Sequence, residues 1–308
     1  MDIYSLKTKS NMVETKESKY IFMTGATSGL GMVSAIKAAS QGNTLIILAR
    51  NKTKGKELKT EFKNQHPNAL GKIEIIEGDL NSFDSIAKAC QEIKSKYPII
   101  DAIINNAGIM NFEFKLTDDK IEETLQVNLL SPILICHLLF DNLKNAKDPK
   151  IVFTSSGLHQ GQINFNNLEF KKSFSSFNVY RQSKLGVILV CRLLSKRLLE
   201  HNIGIYSQHP GMVRTNLGRN AGWFSKMIFY LMGKSPEKGS QTLSYLIETS
   251  NTQLQSGEYY SSKKVTTTTK ESYDLKVAEK LLDTAKEYLK KYVITESPFF
   301  KQTKKNNI

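Results

Sequence analysis

Two side chains invite a chemical reading before any others. Tyr180 and Lys184 stand four residues apart near the start of a strongly periodic stretch that runs to Glu200. On a helix that spacing projects both from one face. A phenol with an ordinary pKa of about 10 is a poor proton donor or acceptor near neutrality, whereas an ammonium beside it favours the phenolate and brings it toward working range. Two solvated surface residues would read the same way, so the pair takes its meaning from what stands around it.

A second candidate lies near the amino terminus, where Tyr20-Ile21-Phe22-Met23 is a short apolar run and Thr24-Gly25-Ala26-Thr27-Ser28-Gly29-Leu30-Gly31 leads into a helical pattern. Strand, glycine turn and helix in that order is where a dinucleotide pyrophosphate is held, by backbone amides and the positive end of the helix. Gly25, Thr27, Ser28, Gly29, Leu30 and Gly31 are therefore candidate cofactor contacts. The glycine spacing differs from the usual dinucleotide fingerprint, and an ordinary glycine-rich turn is the plain alternative. About twenty residues further on, a site for a free ribose 2′-hydroxyl would need a carboxylate at the end of the second strand. Ala49, Arg50 and Asn51 stand there instead. A guanidinium with no acid beside it suits a 2′-phosphate, so the cofactor reading is NADP(H).

These groups need a scaffold to bring them together. The apolar runs Thr44–Leu48, Lys72–Ile76, Ala102–Ile104, Ile151–Phe153, Ile203–Ser207 and Tyr259-Tyr260 read as further strands. Between the early ones lie helical patterns at Leu30–Ser40, Thr53–Asn64, Ser82–Ser95 and Asp118–Leu143. Short apolar strands alternating with helices call for a parallel sheet covered on both faces, joined by right-handed crossovers. The expected fold is α/β, a doubly wound parallel sheet of the Rossmann kind. A chain of 308 residues that is 40% apolar can bury one such core.

With the elements in order, a resemblance becomes visible. Thr24 to Gly31, Asn105-Asn106-Ala107-Gly108, Ser155-Ser156 after a strand, Tyr180-Arg181-Gln182-Ser183-Lys184 and His209-Pro210-Gly211 occur in the order and spacing of the short-chain dehydrogenase/reductase family. Thr117-Asp118-Asp119, Val127-Asn128, Ser235 to Gly239 and Ser256 to Tyr260 resemble its retinol dehydrogenase and WW-domain oxidoreductase branch. The resemblance implies a carbonyl/alcohol oxidoreductase with Tyr180 as acid/base, Lys184 as its pKa modulator and ribose ligand, Ser156 orienting the substrate carbonyl, and Asn128 in a proton relay. Ser155 would face the core. It implies cofactor contacts from Asp79 and Leu80, from Asn106, Ala107 and Gly108, and from Pro210, Gly211, Val213 and Thr215. It also implies a helical substrate lid over about 215–236, where Trp223 to Met232 is densely apolar. Two stretches depart from the branch, Leu129-Leu130-Ser131-Pro132 and Val179-Tyr180-Arg181-Gln182, and they leave the identity of the apolar substrate open.

The remaining features bound the reading. Residues 1–18 read as a polar lead, 19–292 as a single domain and 293–308 as a polar, frayed tail. The net charge of +14 comes from lysines spread along solvated helix faces, with no aromatic-interleaved basic block, so nucleic acid is not an expected partner. Cys90, Cys136 and Cys191 stand far apart with no zinc spacing, so no metal is expected and a reducing, cytoplasmic setting is. No apolar run is long enough to span a bilayer, which leaves peripheral membrane contact and a homodimer open. His159 after the serine pair suggests a hydrolase triad, but no GxSxG elbow accompanies it, and it reads as a pocket-edge residue. The competing function is a non-catalytic NADP sensor or scaffold, a class that usually loses one of the serine, tyrosine and lysine kept here.

Replacing Arg50 with alanine should weaken NADPH binding by about 1.5 to 3 kcal/mol, the range for a hydrogen bond to a charged group, and leave NADH nearly unchanged. Titration of both cofactors by nicotinamide fluorescence checks this, and equal losses for the two would count against the 2′-phosphate assignment.

Overall fold

The computed structural model describes residues 17–211, 235–293 and 297–301. Val213, Thr215 and the apolar stretch Trp223 to Met232 lie outside the described residues, and so does the expected lid up to residue 234.

Eight strands form one sheet in the order β3-β2-β1-β4-β5-β6-β7-β8. They are β1 Tyr20–Thr24, β2 Thr44–Ala49, β3 Lys72–Glu77, β4 Ala102–Asn105, β5 Lys150–Thr154, β6 Gly204–His209, β7 Tyr259–Ser261 and β8 Lys264–Val265. Every neighbouring pair is parallel except the terminal β7–β8 hairpin. The order reverses between β1 and β4, and such a switch point opens a crevice at the carboxyl ends of the strands.

Side chains along a strand alternate between faces, and each face has its own core. Phe22, Ile46, Ile103 and Ile151 pack with helices α3 (Phe83–Lys96), α5 (Ser131–Leu138), α7 (Ser176–Arg197) and α9 (Leu275–Tyr288). Ile21, Met23, Leu45, Ile47 and Ile104 pack with α1 (Gly29–Ser40), α2 (Lys52–Gln65) and α8 (Pro236–Glu248). Most of these helices start on a side-chain cap: Asn51 for α2, Ser82 for α3, Ser175 for α7, Ser235 for α8 and Asp274 for α9.

The largest departure from the sequence reading falls in Asp118–Leu143, expected as one helix. Residues 117–122 form a tight loop, with Lys120 at φ 61° and the Thr117 N–H donating to the Ile121 carbonyl at 2.8 Å. Helix α4 (Glu123–Leu125) begins only where the buried Glu122 carboxylate accepts the Thr124 and Leu125 amides. It opens into a π-turn at Gln126–Leu130 before α5, and a short α6 (Phe140–Lys144) follows. Apolar periodicity marks the buried face but is blind to such a change in winding.

A second difference lies in the stretch read as a frayed tail. Ser297 to Lys301 packs back on α5, α6 and α7: Phe299 is fully buried, its ring 5.5 Å from that of Phe140, and its carbonyl accepts from Arg197 Nη1 at 3.0 Å. Ser297 Oγ lies 2.8 Å from His137 Nδ1. Phe299→Ala should therefore lower unfolding free energy by about 3 to 5 kcal/mol, as for a core phenylalanine. Urea denaturation measures this, and a loss near zero would mean that the segment is not part of the core.

Candidate active site

All of the candidate groups described lie at the carboxyl ends of the strands. The turn after β1 is built by close backbone packing. A Cβ on Gly31 would come within 2.0 Å of the Gly25 carbonyl oxygen, so α1 begins pressed against its own turn. Gly29, at φ 56°, has nothing within 4 Å of where its Cβ would be and faces open space. The Asn106 side chain clamps this turn from β4, donating to the carbonyls of Thr24 at 3.3 Å and Gly25 at 3.0 Å, while Thr24 Oγ1 accepts the Asn106 and Ala107 amides. Asn105 is directed elsewhere, its Nδ2 donating to Cys136 Sγ at 3.1 Å in the core.

This turn fits a dinucleotide phosphate. Ser28 stands at the start of α1 but makes no capping bond, unlike the capping residues of the other long helices, so the first amides of α1 keep their donors for an anion. Past the turn, Arg50 Nη1 lies 3.8 Å from Asp79 Oδ2, bringing the residue after β2 close to Asp79, which follows β3. With the Arg50 side chain 70% exposed, that long ion pair holds the guanidinium weakly. The Leu80 carbonyl is taken by Ser131 Oγ at 2.7 Å and Gln126 Nε2 at 3.3 Å.

Across the switch point, α7 brings Tyr180 and Lys184 under the end of β5. The Tyr180 phenol is buried, with the Ser156 side chain beside it. Burial pushes this phenol above its usual range, and the Ser156 side chain pulls the other way. Lys184 is buried too; its Nζ donates to the Thr154 carbonyl at 2.9 Å and lies 5.7 Å from the Tyr180 ring centre. Removal from water pushes this ammonium down to about 8. Ser155 serves the scaffold, its hydroxyl donating to the Lys184 backbone carbonyl at 2.8 Å.

Asn128, in the middle of the π-turn, has its amide fully engaged. Oδ1 accepts the Ile109 N–H at 2.8 Å, and Nδ2 donates to the Ile109 carbonyl at 2.9 Å and to Ser183 Oγ at 3.0 Å. Gly108 sits where these groups converge: its Cβ would stand 3.0 Å from Lys184 Nζ and 3.4 Å from Asn128 Oδ1. Pro210 and Gly211 follow β6 on the same side of the sheet.

The family model for short chain dehydrogenases matches residues 19–223 of this chain. The chain is a short-chain dehydrogenase. Human (Homo sapiens) retinol dehydrogenase 14 is 33% identical over 283 residues, 86% of this chain and 84% of that protein. Human retinol dehydrogenase 13 is 33% identical over 281 residues, 87% and 83% of the two chains. An uncharacterized protein from Mycobacterium paratuberculosis has a solved structure with TM-score 0.72 at 25% identity, covering 88% of this chain and 93% of that one. This short-chain dehydrogenase thus belongs with the retinol dehydrogenase branch and is an oxidoreductase. Among its described residues no helix is long and apolar enough to cross a membrane.

Sequence reasoning missed a set of contacts behind Ser156. The Gly157 N–H donates to His209 Nδ1 at 3.1 Å, and the Ser156 carbonyl receives both His159 Nδ1 at 2.8 Å and Tyr259 Oη at 3.1 Å. His159 was read as a pocket-edge residue near the serines and Tyr259 as part of a strand and of the Ser256 to Tyr260 motif, and nothing in their spacing tells that β7 lies beside β6.

The two glycines at the start of α1 should respond differently to alanine. Gly31→Ala should lower stability by about 3 kcal/mol, the upper end for overpacking, because backbone stands on both sides of the clash. Gly29→Ala should cost only about 1 to 2 kcal/mol, the strain of a left-handed conformation in open space. Urea unfolding of the two variants measures the difference, and the reverse order would contradict the packing described.

Proposed function

We propose that this short-chain dehydrogenase interconverts a carbonyl and an alcohol on an apolar substrate with NADP(H) as cofactor. The reading rests above all on the Tyr180 phenol, buried beside the Ser156 side chain with the buried Lys184 ammonium 5.7 Å from its ring centre. The cofactor would lie from the amides of α1, past Asn106, Ala107 and Gly108, to Lys184, with Arg50 at its 2′-phosphate. Bound there, NADPH supplies the hydride for the carbonyl carbon, and NADP+ accepts one in the reverse direction.

The roles of the side chains follow from their donors. Tyr180 Oη gives its proton to the carbonyl oxygen in reduction and takes it back in oxidation. The Ser156 hydroxyl accepts the Leu158 N–H at 3.0 Å, so its own proton is left to point toward Tyr180 and the substrate oxygen. Lys184 spends one proton on Thr154 and keeps two for the ribose hydroxyls. Its charge also steadies developing phenolate on Tyr180. Asn128, its amide spent on Ile109 and Ser183, holds the Gly108–Ile109 backbone in place.

Large apolar side chains left partly exposed on the flanking loops and at the start of α7 suit an apolar substrate: Phe112 and Phe114 after β4, Leu158 two residues after Ser156, and Phe177 one turn before Tyr180. Among the retinoid, steroid and lipid carbonyl compounds the sequence left open, the names of the two human relatives favour a retinoid.

A panel of all-trans-retinal, a steroid ketone and decanal, with NADPH and NADH followed at the nicotinamide band, tests the reading. On the best substrate Tyr180→Phe should lower turnover at least ~10²-fold with NADPH binding intact. Lys184, charged below its depressed pKa and neutral above it, should make kcat/KM for NADPH fall as pH rises through about 8, since that ratio reports the free enzyme. Wild-type turnover in Tyr180→Phe, with chemistry limiting the rate, would overturn the assignment of Tyr180, whereas NADPH binding with no turnover of any substrate would favour a scaffold.

A further inference from the structure

The Ser156 carbonyl, on the far side of the residue from its hydroxyl, is held by two buried donors from different parts of the chain. His159 Nδ1 lies 2.8 Å away and Tyr259 Oη 3.1 Å away, and the two rings pack at 5.3 Å between centres. Both residues are buried, at 6% and 2% exposure. A carbonyl oxygen only accepts, so the imidazole proton of His159 sits on Nδ1 and the phenol proton of Tyr259 points to the same oxygen. The next residue is held by a histidine of the opposite tautomer: the Gly157 N–H donates to His209 Nδ1, whose proton is therefore on Nε2. Three side chains thus fix the single peptide group that links Ser156 to Gly157, His159 and Tyr259 at its carbonyl and His209 at its N–H, and none of them needs to touch a substrate.

The number of donors on one oxygen is informative. A single partner satisfies a buried carbonyl, and a second adds little stability but removes rotational freedom of the peptide. Rotation of that peptide would swing the Ser156 hydroxyl away from Tyr180, because the hydroxyl is tied to the same turn through the Leu158 N–H. Burial, together with the nearby Tyr180, pushes the Tyr259 phenol up, so Tyr259 stays a donor across the working pH range.

We propose that Tyr259 and His159 are positioning residues, which act on the reaction only by holding the Ser156 hydroxyl toward Tyr180. The proposal rests on the reading of Ser156 and Tyr180 as the reacting pair. The test measures kcat and KM with saturating NADPH and the aldehyde of the panel that is reduced fastest, in Tyr259→Phe, His159→Leu and His159→Asn, each with and without Ser156→Ala. Tyr259→Phe and His159→Leu should each lower kcat about 10-fold, the effect of one lost hydrogen bond, with KM for NADPH within about 2-fold of wild type. In His159→Asn the amide Nδ2 replaces imidazole Nδ1 as donor, so kcat should recover to within about 3-fold of wild type. With Ser156→Ala already present, Tyr259→Phe should cost less than about 2-fold more, because the group it positions is gone.

Tyr259→Phe keeps its ring, and thermal unfolding verifies that the variant is folded. An equal loss in both Ser156 backgrounds would overturn the positioning role and make Tyr259 merely structural. Wild-type kcat in Tyr259→Phe, with Ser156→Ala inactive, would overturn the proposal while leaving the reading of the site intact. Wild-type kcat in Ser156→Ala would overturn both.

Discussion

The ammonium of Lys184 is taken wholly out of water, and the local structure is arranged around that cost. A charge so placed needs strong acceptors and close, rigid neighbours. Thr154 supplies a carbonyl from the end of β5, and Ser155 ties the Lys184 backbone to the next residue of the same chain segment. Gly108 has no side chain where one would press on Nζ, and the Asn128 amide holds the adjoining Ile109 backbone in both directions. Tyr180 follows from the same arrangement, since the helix that buries Lys184 carries the phenol one turn earlier on the same face.

The cofactor side of the crevice is ordered by a different economy, that of backbone against backbone. Gly31 and Gly25 touch without side chains between them, and Asn106 spends its amide donors on the turn's carbonyls. The amides at the start of α1 are left uncapped as a consequence, and they are what a phosphate needs. The two halves meet through Asn106 and Gly108, neighbours in one short loop after β4.

Much of this was legible in the order of residue types. Strands β1 to β7 lie within a residue or two of the apolar runs read from the sequence, because strands buried on both faces are apolar throughout. Tyr180 and Lys184 share a face because helical spacing alone requires it. The π-turn at Gln126–Leu130 was not legible, since every residue from Thr124 to His137 is buried and a stretch buried on all sides has no apolar stripe for an extra residue per turn to shift. The docking of Phe299 was hidden too: two phenylalanines in a polar tail mean little until α5, α6 and α7 supply a surface to receive them.

The sequence by itself determined the class of fold, the glycine turn, the Tyr-Lys pair and the absence of an acid after β2, because each depends on neighbours within a few residues. Tertiary structure alone decided that Arg50 stands beside Asp79 and that Tyr259 and His159, 100 residues apart in the chain, share one carbonyl. Those relations are set by which strands lie side by side at the carboxyl edge of the sheet. Strand order is a property of crossovers and of packing on two faces at once, and no local pattern of residues encodes it.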